Sequence, residues 1–186
     1  MRMLPGMTVV VPCDFKSDKG SNTAIADYEG PVYLRFGRPK WPNFTEENRK
    51  FEIGKAQILS EGNDITIFAC GHLVRKAIEA GKILEEKGIS VELINLHTIK
   101  PLDEEAIIKS IQKTRCVVTA EEHNILGGMG DAVPHVAAAN FPIPIQYIGT
   151  KDTFGESGKP EDLLKKYGLD TPDIVKAAEI AMSKKN

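Results

Sequence analysis

The 186-residue sequence is poor in cysteine and has no long apolar run. Its three cysteines, Cys13, Cys70 and Cys116, are odd in number and far apart. This pattern predicts neither a disulfide framework nor a zinc site, which would need close Cys/His pairs. Cys70 and Cys116 each lie in an apolar, strand-like run, so we expect buried free thiols in a reducing cytoplasm.

No apolar stretch approaches the roughly 20 residues that a membrane span requires. The N-terminus carries one arginine but lacks the hydrophobic region and cleavage site of a secretory signal. Neither charge sign is in excess, since 24 Lys and Arg residues face 26 Asp and Glu residues. No basic stripe indicates nucleic-acid binding. We therefore expect a cytoplasmic protein that binds neither membrane nor nucleic acid.

A regular alternation of strands and helices begins at about residue 49. Apolar, β-branched runs predict strands at 53–59, 65–70, 91–96, 117–120 and 143–148. Helical periodicity predicts helices at 74–87, after Asp103 as N-cap, and at 131–140, 160–167 and 172–182, the last with Thr171 as N-cap. Such alternation is typical of α/β folds with right-handed crossovers. We predict a three-layer, open, mostly parallel sheet over residues 49–186.

Residues 1–48 do not complete a domain of their own. The pattern indicates strands at 7–12 and 31–36, a helix within 17–29 and an extended linker at 37–47. Two strands and one helix cannot close a core. We interpret this segment as the tail of a second α/β domain. We expect it to be poorly ordered or to pack on a neighbouring copy.

The segment 116–130 combines a buried strand, two acids, a histidine and a glycine-rich turn. Loops of this kind lie at the carboxyl ends of strands, where open α/β sheets bind ligands. Glu121 and Glu122 are candidate general acids, but we favour solvated or salt-bridged strand-end residues. His123 lacks a partner nucleophile. Gly127, Gly128 and Gly130 lack the dinucleotide-binding spacing, so they predict a tight loop or a domain contact.

Other candidate residues follow strand ends. Arg35 and Arg38 flank the end of the strand at 31–36, where a guanidinium can bind a phosphate or form a structural salt bridge. We interpret His72 and His97 as structural. The loop 152–158 is rich in small and acidic residues, and its Phe154 suggests insertion into a neighbouring surface.

The order of these segments resembles the C-terminal part of transketolase. Residues 1–14 and 30–38 are similar to the last strands of the family's pyrimidine-binding domain. Residues 64–71, 89–103, 121–130 and 152–158 are similar to successive signatures of its C-terminal domain. The stretches LRFGRPKWP and DTFGESG look closest to the split or short transketolases of bacteria and archaea. The resemblance covers essentially all 186 residues.

The resemblance implies a parent enzyme that depends on thiamine diphosphate and Mg²⁺ or Ca²⁺. That enzyme moves a two-carbon ketol unit between sugar phosphates in the pentose phosphate pathway. In the family, the C-terminal domain stands apart from the chemistry and supports a homodimer. Arg38 matches the arginine that binds the substrate phosphate, and Arg35 is a weaker neighbour.

The family's catalytic, cofactor-binding and metal-binding residues lie upstream of the segments matched here. We therefore expect none of them among these 186 residues, and we expect the chain to need upstream domains or an N-terminal subunit for activity. Two related enzymes share the same C-terminal architecture: deoxyxylulose-phosphate synthase and the beta subunit of 2-oxoacid dehydrogenases. A non-catalytic module for dimerisation or regulation is the alternative from a different class.

Overall fold

A computed structural model of the chain describes residues 1–37, 42–45 and 50–185. Strands and helices alternate through these ranges. In chain order they are β1 (Thr8–Val10), α1 (Phe15–Ala26), β2 (Val32–Leu34), β3 (Gln57–Ser60), β4 (Ile65–Ala69), α2 (Leu73–Glu86), β5 (Val91–Asn95), β6 (Thr98–Lys100), α3 (Glu104–Thr114), β7 (Val117–Asn124), α4 (Met129–Asn140), β8 (Ile145–Thr150), α5 (Pro160–Lys166) and α6 (Thr171–Ser183).

Five strands form an open sheet in the order β3-β5-β4-β7-β8. β4 pairs in parallel with β5 and with β7, and β7 pairs in parallel with β8. β3 is antiparallel to β5 and lies at one edge. β4 and β5 are buried along their whole length, because parallel strands are covered on both faces. The predicted open, mostly parallel α/β sheet is confirmed.

Helices cover both faces of this sheet and complete three layers. α2 and α6 pack together on one face, while α3 and α4 contact each other on the opposite face. In α2, Leu73, Ala77, Ala80 and Leu84 are buried. This spacing of three or four residues places one apolar stripe of the helix against the sheet. The core therefore lies in two layers, one on each side of β4.

A second sheet has three strands in the order β2-β1-β6. β1 is parallel to β2 and antiparallel to β6. β6 was not predicted from the sequence, since three residues are too few to display an alternating pattern. Val9 and Val11 share one core with Phe68 and Ile94. The N-terminal strands thus pack on later parts of their own chain, which differs from our expectation that they would be poorly ordered or pack on a neighbouring copy.

The helix caps test two predictions. Asp103 is the N-cap of α3, and its carboxylate accepts a hydrogen bond from the Ala106 amide, as predicted. The prediction of Thr171 as N-cap of α6 is wrong by one residue. Asp170 occupies that position and forms a reciprocal capping box with Asp173. A carboxylate at this position also pairs with Lys76 at 2.7 Å, an interaction that a threonine hydroxyl cannot replace.

Several boundaries differ from the sequence-based prediction, including that of β8, which lies two residues later than predicted. β3 begins only at Gln57. β7 continues beyond Ala120 through both acids to Asn124. α4 begins at Met129, two residues earlier than predicted. Of the predicted linker at 37–47, residues 38–41, 46 and 47 lie outside the described residues.

Cys13, Cys70 and Cys116 are buried free thiols, as predicted. Burial, with a smaller contribution from the negative charge of Asp14, raises the pKa of Cys13 to about 12. That thiol is therefore protonated at neutral pH. Within the part of the chain that the structure describes, no helix has both the length and the apolar character needed to cross a membrane.

Candidate functional site

The ends of three strands meet on one side of the molecule. β7 ends with Glu121, Glu122 and His123, the turn after β4 places His72 beside them, and Arg35 follows β2. A cleft of about 480 Å³ opens here. Its polar lining includes Arg35, His72 and Glu122, and its apolar lining includes Phe154, Leu163, Leu164, Tyr167 and Leu169. The structure thus brings together five candidates from four separate segments: Arg35, His72, Glu122, His123 and Phe154.

Glu121 is buried beneath the glycine-rich loop. Its two carboxylate oxygens accept hydrogen bonds from the amides of Met129 at 2.8 Å and Gly130 at 2.6 Å. Both amides belong to the first turn of α4, where unpaired N–H groups favour a negative charge. Burial raises the pKa of Glu121, although the two amides oppose that effect. The interpretation of Glu121 as a solvated or salt-bridged residue is wrong, because it joins β7 to α4 inside the protein.

The carboxylate of Glu121 also explains why two positions of the neighbouring loop are glycine. A Cβ atom on Gly128 would lie 2.3 Å from Oε2 of Glu121, and one on Gly130 would lie 3.1 Å from Oε1. Gly127 has a φ of +81° and accepts a hydrogen bond at its carbonyl oxygen from Arg2 Nε. The loop is therefore shaped around Glu121 and held by the N-terminus. This agrees with the predicted tight loop.

Glu122 faces the cleft and pairs with His72. The imidazole Nδ1 lies 3.1 Å from Glu122 Oε2, a hydrogen bond in the tautomer that carries the Nδ1 proton. Arg35 Nη2 donates to the backbone oxygen of Glu122 at 2.6 Å. The hydrogen bond from His72 lowers the pKa of Glu122, while burial opposes it and the charge of Arg35 adds to the lowering. Glu122 is thus a partly exposed, hydrogen-bonded residue at a strand end, consistent with the solvated or salt-bridged role that we favoured.

His72 also lies against the backbone of Gly37. A Cβ atom on Gly37 would lie 1.8 Å from Cε1 of the imidazole. Gly71, the residue before His72, has a φ of +56°, and a Cβ atom on Gly71 would lie 3.0 Å from Val11 Cγ1. The turn between β4 and α2 is therefore in close contact with the N-terminal strands.

The remaining candidates have separate roles. His97 is buried and lies with its ring 4.0 Å from that of Phe51, centroid to centroid, consistent with a structural role. His123 is exposed, and its Nδ1–H donates to the Asn124 carbonyl. Phe154 is 97% exposed at the rim of the cleft. Its insertion into a neighbouring surface stays a prediction. Arg38 lies outside the described residues.

Asp14 was not among the candidates predicted from the sequence. This buried carboxylate caps α1 by accepting from the Ser17 amide. It also accepts from the amides of Phe44 and Thr45 and from the Thr45 hydroxyl. Burial alone would raise the pKa of Asp14, but these hydrogen bonds outweigh it and lower the pKa. An aspartate just before a polar helical segment was the available signal for the cap. Its contacts about thirty residues further on left no sequence pattern.

Comparison with known proteins identifies the family. The family model described as "Transketolase, C-terminal domain" matches residues 54–174. This chain belongs to the transketolase C-terminal domain family. The sequence resemblance is thereby confirmed, and the matched residues span β3 to β8 with the helices α2 to α5.

Similarity to transketolases extends over the whole chain. A 6-deoxy-6-sulfo-D-fructose transketolase subunit from Clostridium sp. (strain MSTE9) is 41% identical over 100% of this chain and 58% of its own length. An apulose-4-phosphate transketolase subunit from Phocaeicola vulgatus is 38% identical over 96% of this chain and 57% of its own length. A solved split-gene transketolase, an inactive β4 tetramer, matches with a TM-score of 0.97 and 42% identity over 100% of this chain and 61% of that chain. The chain therefore spans less than two thirds of the transketolase subunits that it matches.

Proposed function

We propose that this chain is the C-terminal section of a transketolase that transfers a two-carbon ketol unit between sugar phosphates. The observation that carries the proposal is the 41% identity to a transketolase subunit over the whole chain. In this proposal, residues 1–48 are the end of the pyrimidine-binding domain with a linker, and residues 49–186 are the C-terminal domain. The enzyme acts in the cytoplasm, in the pentose phosphate pathway, as a homodimer.

The partner of the chain is the rest of that enzyme, either as upstream domains or as an N-terminal subunit. Among the described strands, β2 pairs with β1 only, so its other edge is open to a further strand. Several large apolar side chains of the N-terminal segment are also exposed, namely Met3, Leu4, Phe15 and Phe36. Exposed apolar side chains and an open sheet edge each favour burial by a protein partner.

The cofactor belongs to that partner. Among residues 1–37, 42–45 and 50–185, no group of three or more His, Cys, Asp or Glu side chains could hold a metal ion. We assign thiamine diphosphate and its Mg²⁺ or Ca²⁺ to the upstream domains, where the family resemblance places the residues that bind them. When bound there, the cofactor supplies the electron sink for ketol transfer.

Arg38 binds the anionic end of the substrate in this proposal. The names of the two relatives describe sugars with a sulfo group and with a phosphate. A guanidinium suits both, because its planar array of N–H donors can form two parallel hydrogen bonds to an oxyanion. Arg38 directly follows Arg35–Gly37, which lie beside His72 and Glu122.

Titration calorimetry and a ketol-transfer assay test whether the chain needs the upstream polypeptide for cofactor binding and catalysis. The chain alone should neither bind thiamine diphosphate with Mg²⁺ nor convert xylulose 5-phosphate and ribose 5-phosphate. Addition of the upstream polypeptide should restore both. Turnover by the chain alone would contradict the assignment of catalysis to the upstream polypeptide. Turnover of pyruvate with glyceraldehyde 3-phosphate, in place of pentose phosphates, would assign the parent enzyme to the synthase branch.

In the complete enzyme, Arg38→Ala should raise KM for xylulose 5-phosphate about 10- to 100-fold, since hydrogen bonds to charged groups contribute roughly 1.5–3 kcal/mol. Steady-state kinetics measure this change. Lys109→Ala, which removes an exposed positive charge from α3, is the matched control and should leave KM unchanged. An unaltered KM in Arg38→Ala would remove this residue from the substrate site.

A further inference from the structure

We infer that His72 and Glu122 are positioning residues for the chain segment that leads from β2 to Arg38. The inference rests on the proposed substrate role of Arg38. Both residues belong to strand ends of the five-stranded sheet, whereas Arg35 and Gly37 follow β2 of the smaller sheet. The C-terminal domain would thus act on substrate binding, although the family resemblance implies that it stands apart from the chemistry.

Contacts on both sides of the backbone hold this segment. The Arg35 amide donates to the Val10 carbonyl at 2.9 Å, which continues the register of β2 on β1. The Arg35 guanidinium donates to the backbone oxygen of Glu122 at 2.6 Å. Two residues further on, Gly37 lies against the imidazole of His72. Arg35 and Gly37 therefore both contact residues that follow or end strands of the five-stranded sheet.

The close approach of His72 explains why position 37 is a glycine. A Cβ atom there would lie 1.8 Å from Cε1, 2.7 Å from Nε2 and 2.8 Å from Nδ1, which places it just beyond Cε1 and far inside van der Waals contact with the ring. The φ angle of Gly37 is outside the left-handed region, so the backbone conformation itself does not require glycine. The imidazole is the group that excludes a side chain.

The imidazole has little freedom to move away. Its side chain is only 12% exposed, and Nδ1 pairs with Glu122 Oε2 at 3.1 Å. His72 follows Gly71, whose left-handed conformation and contact with Val11 define the turn into α2. Glu122 therefore orients the ring, and the ring sets the position of Gly37. A shift of this ring would therefore change the position of Gly37, the residue that precedes Arg38 in the sequence.

The test compares two donors in the complete enzyme. His72→Ala and Glu122→Gln should raise KM for xylulose 5-phosphate about tenfold, within the range of coupling energies between contacting networks. KM for L-erythrulose, a ketose without phosphate, should stay within about twofold of wild type, since the coupling acts on phosphate binding alone. Glu122→Gln retains the side-chain shape and the backbone contact with Arg35, so this variant separates a loss of positioning from misfolding. His135→Ala, at an exposed position of α4, is the matched control.

A double-mutant cycle tests the contact itself. Gly37→Ala should raise KM for xylulose 5-phosphate at least as much as His72→Ala, because the added methyl must displace the ring. Combining Gly37→Ala with His72→Ala should be no worse than His72→Ala alone, since the clashing ring is gone.

Equal rises in KM for both donors, or additive effects in the cycle, would overturn the positioning role. Lack of ketol transfer by the wild-type complex would instead overturn the proposed function, and this inference with it. An active wild type with donor-independent changes in the variants would overturn this inference alone.

Discussion

Replacing Glu121 with alanine should lower the free energy of unfolding by about 3 kcal/mol, because two hydrogen bonds to a charged group are lost, each contributing roughly 1.5–3 kcal/mol, and removal of the buried carboxylate offsets part of that loss. The substitution leaves the amides of Met129 and Gly130 without their carboxylate acceptor. It also removes the negative charge at the N-terminal end of α4. Urea denaturation of the chain at neutral pH measures the effect.

The control for Glu121→Ala is Glu86→Ala, at an exposed position near the end of α2. That variant should stay within about 0.5 kcal/mol of wild type, as surface substitutions commonly do. Gly128→Ala supplies an independent check, since its Cβ would lie 2.3 Å from Oε2 of Glu121. It should be strongly destabilising with Glu121 present and less so beside Glu121→Ala. A small effect of Glu121→Ala would show that the amides find other acceptors.

The elements that the sequence predicts well are those whose signal is local. β4 and β5 are continuous apolar runs buried on both faces, and they were predicted to within one residue. α2 has a regular apolar stripe, and Asp103 caps α3 as its position indicated. In each case the residues that decide the structure lie within one turn or one strand.

The features that could not be predicted from the sequence depend on contacts between distant segments. β7 carries two acids and a histidine at its end, so its apolar pattern stops four residues before the strand does. β6 forms a strand because β1 lies beside it. Glu122 meets His72 across fifty positions. Neither residue alone indicates a site, and only the parallel arrangement of β4 and β7 brings them together.

Asp14 shows how such contacts couple the N-terminal segment to the rest. Its carboxylate caps α1 and at the same time binds the backbone at Phe44 and Thr45. The side chain of Phe44 packs against the core between the large sheet and α2. One carboxylate thus connects the end of β1 to residues that follow the substrate-binding arginine proposed at position 38. Removal of the Asp14 carboxylate should therefore weaken both the start of α1 and the attachment of Phe44 and Thr45.

Asp14→Ala should destabilise the chain by about 4 kcal/mol, combining roughly 1 kcal/mol for a lost helix cap with similar amounts for each of the three further hydrogen bonds. The pH dependence gives a sharper test. The pKa of Asp14 is lowered in the folded chain, so the unfolded state binds its proton first as the pH falls. The stabilisation is present above the unfolded pKa and is lost as the pH drops through the folded one.

Asp14→Asn keeps the side-chain size but cannot titrate. Its stability should therefore decrease less than that of wild type between neutral and acidic pH, measured by urea denaturation across that range. Asp27→Ala, at the exposed C-cap of α1, should keep the wild-type pH profile. Parallel pH profiles for wild type and Asp14→Asn would mean that the hydrogen bonds to Ser17, Phe44 and Thr45 do not depend on the charge. In that case Asp14 would act through the geometry of its oxygens alone, and the link between the N-terminal segment and the core would be insensitive to acid.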